Sequence, residues 1–266
     1  MTLDDIDTPA VLVDVAKAER NLKRAQDYAD ANGLTLRPHI KTHKLVRFAR
    51  RQVELGAAGI TCQKIGEAEV MADGGITDIL LPYNILGAQK LERLKALARR
   101  VTLKVTADSE ATVDSYSAAF GNEPQPLTVL VECDTGGGRC GVQSPEAALS
   151  LAQRISAAPG LRFGGLMTYP AKGGTQTSNR WLAEARRALE AANLTPTLVT
   201  TGGTPDLWHA AEVSAANEYR PGTYIYLDRF QVAEGVGTID DCALTVLATV
   251  VSRPTETRAI LDTGSK

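Results

Sequence analysis

The sequence is poor in aromatic residues (5%), and it contains four cysteines and three histidines. None of the cysteines forms a CxxC pair, so the sequence favours reduced, structural cysteines over a disulfide framework. The 29 basic and 31 acidic residues give a net charge of −2, which excludes the basic surface typical of nucleic-acid or anionic-membrane binding. No apolar run approaches the roughly 18 residues that span a bilayer. Residues 1–5 lack signal-peptide features, so we expect a cytoplasmic protein.

Short apolar runs alternate with longer segments of helical composition along the 266 residues, and this alternation is typical of an α/β protein with a parallel sheet. The predicted strands are 34–40, 59–62, 78–82, 101–106, 127–133, 162–168, 197–201 and 223–227. The predicted helices are 15–32, 45–55, 65–73, 89–100, 109–120, 145–157, 178–192 and 206–213. Ser144-Pro145 is expected to be an N-cap followed by proline at the first helical position.

Eight strand–helix pairs predict a (β/α)8 barrel of TIM type, since that fold uses about 250 residues. A doubly wound open sheet is the alternative. We expect the barrel to occupy residues 1–235. Residues 244–252 and 258–262 resemble strands with no helix between them, so residues 236–266 are predicted to be the first strands of a truncated C-terminal β domain. An additional strand at 8–14 can pair with that β structure.

Residues with distinctive chemistry follow the predicted strands, where the active sites of barrels lie. They are Lys41, Gln63, Tyr83, Asp134, Arg139, Tyr169, Gly202 and Gly203. Strand alternation places Arg37, His39 and Lys41 on one face, which we expect to point into the barrel. Solvated lysines at a strand end are the simple alternative, but a partly desolvated lysine with a lowered pKa is what Schiff-base chemistry requires.

Two glycine-rich segments add a basic residue and an anion site. Residues 134–141 formally contain GxGxxG. A dinucleotide site would need a helix that begins within these glycines and an acidic residue at the end of the next strand to bind the ribose, and the sequence has neither. A loop that carries Arg139 is therefore favoured over a dinucleotide site.

Residues 200–206 combine two glycines with Thr204-Pro205. The backbone amides, the Thr204 hydroxyl and the dipole of the predicted helix there predict phosphate binding. A glycine turn with an N-cap is the alternative. Residues 220–224, read as the loop before the eighth strand, supply another glycine beside a hydroxyl. A lysine, an arginine and a phosphate site together suggest pyridoxal phosphate.

Five ordered segments carry a family resemblance: RPHIKTHK (37–44), DTGGGRCG (134–141), MTYP (167–170), TTGGTPD (200–206) and YRPGTYIYLD (219–228). The sequence resembles the D-threonine aldolase / D-serine dehydratase group of the alanine-racemase-like, fold-type III pyridoxal-phosphate enzymes. The resemblance implies that Lys41 forms the Schiff base with the cofactor, that Arg139 approaches its phenolic oxygen, and that Arg220 lies at its pyridine nitrogen. The implied phosphate cradle is Gly202, Gly203, Thr204, Gly222 and Thr223.

The same resemblance implies that Gln63 and Tyr169 line the site. His39 is either an acid/base near the cofactor or a structural histidine, and His209 is expected to have no catalytic role.

The resemblance implies a lyase that acts on D-β-hydroxy amino acids, most simply a D-threonine aldolase that yields glycine and an aldehyde. A D-serine or D-threonine dehydratase, a racemase and a non-catalytic cofactor carrier are the alternatives. The group uses a divalent metal, Mn²⁺ or Zn²⁺, as a Lewis acid, but its ligands belong to the C-terminal domain and are not in this chain. We therefore expect this chain alone to be a weak lyase, and a full-length form to be a head-to-tail homodimer.

Overall fold

The computed structural model describes residues 2–264, and the chain divides into two units, Met1–Leu22 with Thr223–Lys266 and Lys23–Gly222. The strands are β1 Ala10–Val13, β2 Thr35–Leu36, β3 Ile60–Thr61, β4 Asp78–Leu81, β5 Thr102–Ala107, β6 Leu127–Cys133, β7 Leu161–Thr168, β8 Leu198–Thr201, β9 Glu218–Tyr219, β10 Leu244–Leu247, β11 Val250–Thr255 and β12 Arg258–Leu261. The helices are α1 Val15–Ala31, α2 Val46–Leu55, α3 Ile65–Asp73, α4 Ala88–Ala98, α5 Glu110–Phe120, α6 Pro145–Ala157, α7 Thr175–Ala191 and α8 Arg229–Ala233.

The larger unit contains a parallel eight-stranded sheet in the order β2-β9-β8-β7-β6-β5-β4-β3. The first and last strands in this order are joined by a parallel bridge between His39 and Thr61. Thr61 N also donates to Pro38 O at 2.8 Å. The sheet thereby closes on itself, which confirms the predicted TIM-type barrel and excludes the open sheet.

Local sequence signals explain why the helices begin where they do. Ser144 accepts a hydrogen bond from Ala147 N at 3.2 Å, and Pro145 occupies the first helical position of α6 as predicted. Ser109 caps α5 in the same manner. β6 is buried at every residue, because its apolar run lies between the helical layer and the barrel interior. Short, capped connections fix the carboxyl ends of the strands at one edge of the barrel.

Two predicted elements at the end of the barrel are wrong. The eighth barrel strand is β9, and residues 223–227 include the 3₁₀ turn Thr223–Ile225 instead of a strand. The aromatic, β-branched composition of 223–227 suggested a strand, but the backbone of Glu218 and Tyr219 pairs with both β8 and β2. Arg220 and Gly222 therefore follow the eighth strand. The predicted helix 206–213 is a 3₁₀ segment, Leu207–Glu212.

The smaller unit contains two antiparallel pairs. β1 pairs with β10 in a register that joins Ala10 to Leu247, so the additional N-terminal strand does pair with the C-terminal segment. The predicted strand 244–252 is divided into β10 and β11, and β11 forms a hairpin with β12. The domain boundary at 235/236 stays a prediction, and residues 265 and 266 lie outside the described part of the chain. Across that part, no helix is both long and apolar enough to cross a membrane.

Candidate active site

The carboxyl ends of the barrel strands bring the predicted residues to one edge. Lys41 follows β2, Gln63 follows β3 and Tyr83 follows β4. Arg139 lies in the loop after β6 and Tyr169 follows β7 directly. Gly202, Gly203 and Thr204 follow β8, and Arg220 and Gly222 follow β9. Thr223 begins the 3₁₀ turn of the smaller unit.

Lys41 follows the strand as predicted, but it lies in the 3₁₀ turn Ile40–Thr42, so the strand alternation that was expected to give it one face with Arg37 and His39 does not extend to it. β2 is only two residues long, since Pro38 lacks the N–H that a continuing strand would need. Lys41 is an exposed residue. Burial, followed by the charges of Arg139 and Arg220, lowers the pKa of Lys41, and Glu67 acts in the opposite direction. The amine is therefore easier to deprotonate than an ordinary lysine.

His39 is buried and begins the turn that carries Lys41. Its Nδ1 accepts the Lys41 N–H at 3.3 Å, and its ring is hydrogen-bonded to Gln63. Burial, with the charges of Lys41 and Arg220, lowers the pKa of His39 to about 3. The imidazole is neutral at pH 7, and this geometry favours holding the turn over carrying a proton. The acid/base role of His39 stays a prediction.

The second histidine of this segment, His43, is also buried. Its Nε2 lies 3.3 Å from Gln52 Oε1, and its Nδ1 accepts from Leu45 N at 3.0 Å. Burial lowers its pKa to about 4, against the opposing effect of these hydrogen bonds. Both ring nitrogens are engaged, so His43 supports the backbone. His209 lies on the exposed 3₁₀ segment and contacts Glu212.

Glu67, on α3, was missed by the sequence reasoning. It accepts from Gln63 N at 2.8 Å and forms an ion pair with Lys44. The pair neutralises Lys44, so Lys41 and Lys44 differ in environment although both lie in one basic segment. The only sequence signal for Glu67 is its place in the first turn of α3, where a carboxylate is favoured.

The glycine-rich loop after β6 is folded around Asp134. Its Oδ1 accepts from Gly136 N at 2.9 Å and Gly138 N at 3.1 Å. Gly136 and Gly138 have φ values of +113° and +61°, which glycine adopts without strain. These amide bonds lower the pKa of Asp134 against the opposing effect of burial. The loop is therefore a turn held by the Asp134 carboxylate, and it carries Arg139 as predicted.

Arg139 lies between two aromatic rings at the barrel edge. Its guanidinium carbon is 5.3 Å from the ring centre of Tyr83 and 5.2 Å from that of Tyr169. Nη2 also donates to the Tyr83 hydroxyl. Tyr169 is 46% exposed, so the rings orient Arg139 without sealing it from solvent, and the guanidinium remains available to an anionic oxygen.

The turn after β8 needs glycine for two reasons. Gly202 has a φ of +99°, and a Cβ there would lie 2.1 Å from Cε2 of Tyr219. The Tyr219 hydroxyl donates to Gly203 O at 2.8 Å, and Thr204 Oγ1 accepts from Gly222 N at 3.1 Å. The Thr204 hydroxyl, which the sequence predicted to bind phosphate, thus joins the turns after β8 and β9. The prediction that a helix dipole contributes here is wrong, because the segment that follows, Leu207–Glu212, is a short 3₁₀ helix and not an α-helix.

Arg220 is buried beneath this edge. Nη1 donates to Thr200 Oγ1 at 2.7 Å, and Nη2 donates to Thr168 O at 2.7 Å and contacts Met167 Sδ at 3.2 Å. Burial lowers the pKa of Arg220 to about 10, with Glu218 and Glu132 acting in the opposite direction. The guanidinium therefore remains charged at neutral pH.

Arg37 belongs to a buried network of charged residues, and the sequence reasoning did not predict its carboxylate partners Glu218 and Asp78. Glu218 accepts from Arg37 Nε and Thr200 Oγ1, each at 2.7 Å. Arg37 also donates to Asp78 at 2.6 Å, and Asp78 accepts from Lys104 at 2.8 Å. Arg37 was expected to face the interior, and it does, as a buried ion-pair partner.

Two carboxylates near Arg139 were also missed. Asp108 follows β5 directly and accepts from Asn84 Nδ2 and Gly141 N. Glu132, on β6, is buried and accepts from Cys140 Sγ at 2.9 Å. Burial raises the pKa of Glu132 against the opposing effect of the Cys140 hydrogen bond. The strand-end rule that selected Lys41 selects Asp108 equally, so a strict application of it would have found this residue.

The closed barrel carries basic and glycine residues at the carboxyl edge of its strands, where the active sites of α/β-barrel proteins lie. The chain belongs to the family described as alanine racemase, N-terminal domain, whose model matches residues 13–229. This confirms the family resemblance carried by the five ordered segments.

Two relatives are identical to this chain at about a third of the aligned positions. The chain is 35% identical to a D-threonine aldolase of Arthrobacter sp. over 276 residues, covering 98% of this chain and 72% of the relative. It is 36% identical to a D-threo-3-hydroxyaspartate dehydratase of Delftia sp. over 277 residues, covering 99% of this chain and 73% of the relative. The crystal structure of D-threonine aldolase from Filomicrobium marinum matches with a TM-score of 0.92 and 35% identity, covering 98% of this chain and 75% of that one.

Proposed function

We propose that this chain forms the cofactor-binding barrel of a pyridoxal-phosphate-dependent lyase that acts on D-β-hydroxy amino acids, with D-threonine aldolase activity as the first candidate. The observation that carries the proposal is Lys41, an amine whose pKa is lowered by burial and by two arginines at the carboxyl edge of the barrel. The relatives named as an aldolase and a dehydratase support the reaction class.

The residues at this edge fit pyridoxal phosphate. A Cβ on Gly203 would lie 3.2 Å from the Tyr169 ring, and one on Gly222 would lie 3.3 Å from His39 O, so both turns are closely packed and leave little room for a side chain at either glycine. When bound, the cofactor supplies an aldehyde that reacts with amines and a ring that accepts electrons.

Each predicted residue has a role in the proposal. Lys41 would hold the cofactor through its amine and would take or return a proton at the substrate α-carbon. Arg139 would pair with the phenolic oxygen, and the charged, buried Arg220 would pair with the ring nitrogen. Gln63 and Tyr169 would line the edge, and Gly202, Gly203, Thr204 and Gly222 would hold the phosphate. The part of Thr223, which belongs to the smaller unit, stays a prediction.

In this cradle, Thr204 supplies a hydroxyl that already joins the two glycine turns. His39 keeps the Lys41 turn in place through its Nδ1. Because the imidazole is neutral, it adds no positive charge beside the lysine, which helps the amine of Lys41 to remain a nucleophile.

The family resemblance implies a divalent metal, Mn²⁺ or Zn²⁺, but the residues that the structure describes do not fit one. Between residues 2 and 264, no group of three or more His, Cys, Asp and Glu side chains could hold a metal ion. We therefore assign no step of the reaction to a metal. The proposal also includes a domain boundary near residue 235, a homodimer and a cytoplasmic location, with a small D-amino acid as the substrate.

Reconstitution with pyridoxal phosphate tests the proposal. The wild type should develop a visible absorption band from the lysine-bound cofactor, Lys41→Ala should abolish it, and Lys44→Ala should retain it because Lys44 is paired with Glu67. Product analysis with D-threonine, D-serine and D-alanine then separates aldolase, dehydratase and racemase. A loaded protein without turnover would be a cofactor carrier, and a loaded wild type without the band would contradict the proposal.

A further inference from the structure

One carboxylate joins the two loops that hold Arg139 and its tyrosine partner. Asp108 Oδ1 accepts from Asn84 Nδ2 at 2.7 Å, and Asp108 Oδ2 accepts from Gly141 N at 3.2 Å. Asn84 directly follows Tyr83, and Gly141 lies two residues after Arg139. Asp108 therefore connects the loop after β4 to the loop after β6 from its own position at the end of β5.

The end of the glycine-rich loop that carries Gly141 is fixed by close packing. Gly141 has a φ of +118°, and a Cβ there would lie 2.5 Å from Asp134 N. Next to it, Cys140 Sγ donates to the buried carboxylate of Glu132 at 2.9 Å. The Gly141 N–H thus has a defined direction, and it donates its hydrogen bond to Asp108. A hydrogen bond from an amide to a carboxylate is stronger than one between neutral groups.

Arg139 itself is exposed, and its contacts are the Tyr83 hydroxyl and the two tyrosine rings. A long side chain on a glycine-rich loop loses rotamer freedom when it binds a ligand, and prior fixation of the loop reduces that loss. Through Gly141, Asp108 fixes the loop that carries Arg139, and through Asn84 it fixes the loop that carries Tyr83. Asp108 therefore sets the positions of both Arg139 and its aromatic partner.

We propose that Asp108 is a positioning residue that acts through Arg139: it holds the loops after β4 and β6 at the spacing that lets Arg139 contact the anionic oxygen of the cofactor. This inference rests on the proposed function, which assigns that contact to Arg139. Asp108 itself does not touch the cofactor.

Pyridoxal phosphate titrations of wild type, Asp108→Asn, Arg139→Ala and the double variant test the inference, with the dissociation constant read from the visible band. Asn keeps the size of Asp108 but has one acceptor oxygen for two donors. We expect Asp108→Asn to weaken binding about tenfold, equal to about 1.4 kcal/mol, and to have no further effect when Arg139 is already Ala. The control is Asp114→Asn, an exposed carboxylate on α5 that pairs with Arg154, for which binding should be unchanged.

If Asp108→Asn weakens pyridoxal phosphate binding equally with Arg139 and with Arg139→Ala, the inference is overturned, because Asp108 would then act on the fold alone. Unchanged binding in Asp108→Asn overturns it as well. If Arg139→Ala does not weaken binding, the role of Arg139 in the proposed function fails, and this inference fails with it. If Asp108→Asn does not fold, Asn84→Ala removes only one side of the bridge and must give a smaller loss that also depends on Arg139.

Discussion

Replacement of Glu218 by Gln should destabilise the barrel strongly. The Glu218 side chain is 1% exposed and the Arg37 side chain 3% exposed, with 2.7 Å between Arg37 Nε and Glu218 Oε2. Burial by itself lowers the pKa of Arg37, but the Glu218 and Asp78 carboxylates outweigh it and raise the pKa overall. Two charges about 4 Å apart at an effective dielectric constant near 20 attract each other by about 4 kcal/mol.

Breaking a buried pair costs about 3–5 kcal/mol, because the remaining charge stays buried. Arg37 keeps Asp78 as a second partner at 2.6 Å, which places the expected loss at the lower end, about 3 kcal/mol. Gln has nearly the size of Glu and one oxygen that can still accept from Thr200 or Arg37. The loss should therefore come from charge and not from packing.

Urea unfolding at pH 7, with the slope compared between variants, measures this loss. The control is Asp27→Asn, since Asp27 and Lys23 are 59% and 66% exposed and a surface change of this kind stays within about 0.5 kcal/mol. Arg37→Met combined with Glu218→Gln should recover part of the stability, because neither charge is then buried unpaired. A loss below about 1 kcal/mol for Glu218→Gln with an unchanged slope would refute the assigned strength of the pair.

Two further predictions concern pH and backbone conformation. Burial lowers the pKa of His43 to about 4 from 6.5, so the unfolded chain binds the extra proton first, and about 3 kcal/mol of stability is lost as pH falls from 6.5 to 4. His43→Asn should reduce the slope of stability against pH in that window, and an unchanged slope would contradict the assignment. Gly202→Ala should destabilise more than Gly87→Ala in thermal unfolding: their φ values are +99° and +97°, but only the Cβ at Gly202 meets Tyr219. Equal losses would show that the ring moves aside.

The barrel could be predicted because its signals are local. β6 has the bounds predicted for it, and so do α3 and α6, since an apolar run, a serine cap or a helical period is written in consecutive residues. β9 could not be found in that manner. Its two residues include a glutamate and form a strand only by pairing with β2 and β8, which are separated from them in sequence.

The site shows the same division. Lys41, Arg139 and the glycine turns were found because each stands at the end of a strand or in a glycine-rich segment with a clear pattern. Glu67, Asp108 and Glu132 were missed since single carboxylates carry no pattern. Their importance lies in the distances from Asp108 to Asn84 and Gly141, and from Glu132 to Cys140.

The sequence by itself determined the class of fold, because residue type and short-range period suffice for it, and it selected the candidate cofactor-binding residues at one edge of the barrel. Only the tertiary structure decided which charges are paired and which are free to act. It paired Lys44 with Glu67 while leaving Lys41 beside two arginines, and it placed Arg37 in an interior ion pair. The reason is physical: the protonation and orientation of a side chain depend on burial and on neighbours within a few ångströms, and the closed barrel selects those neighbours from distant parts of the chain.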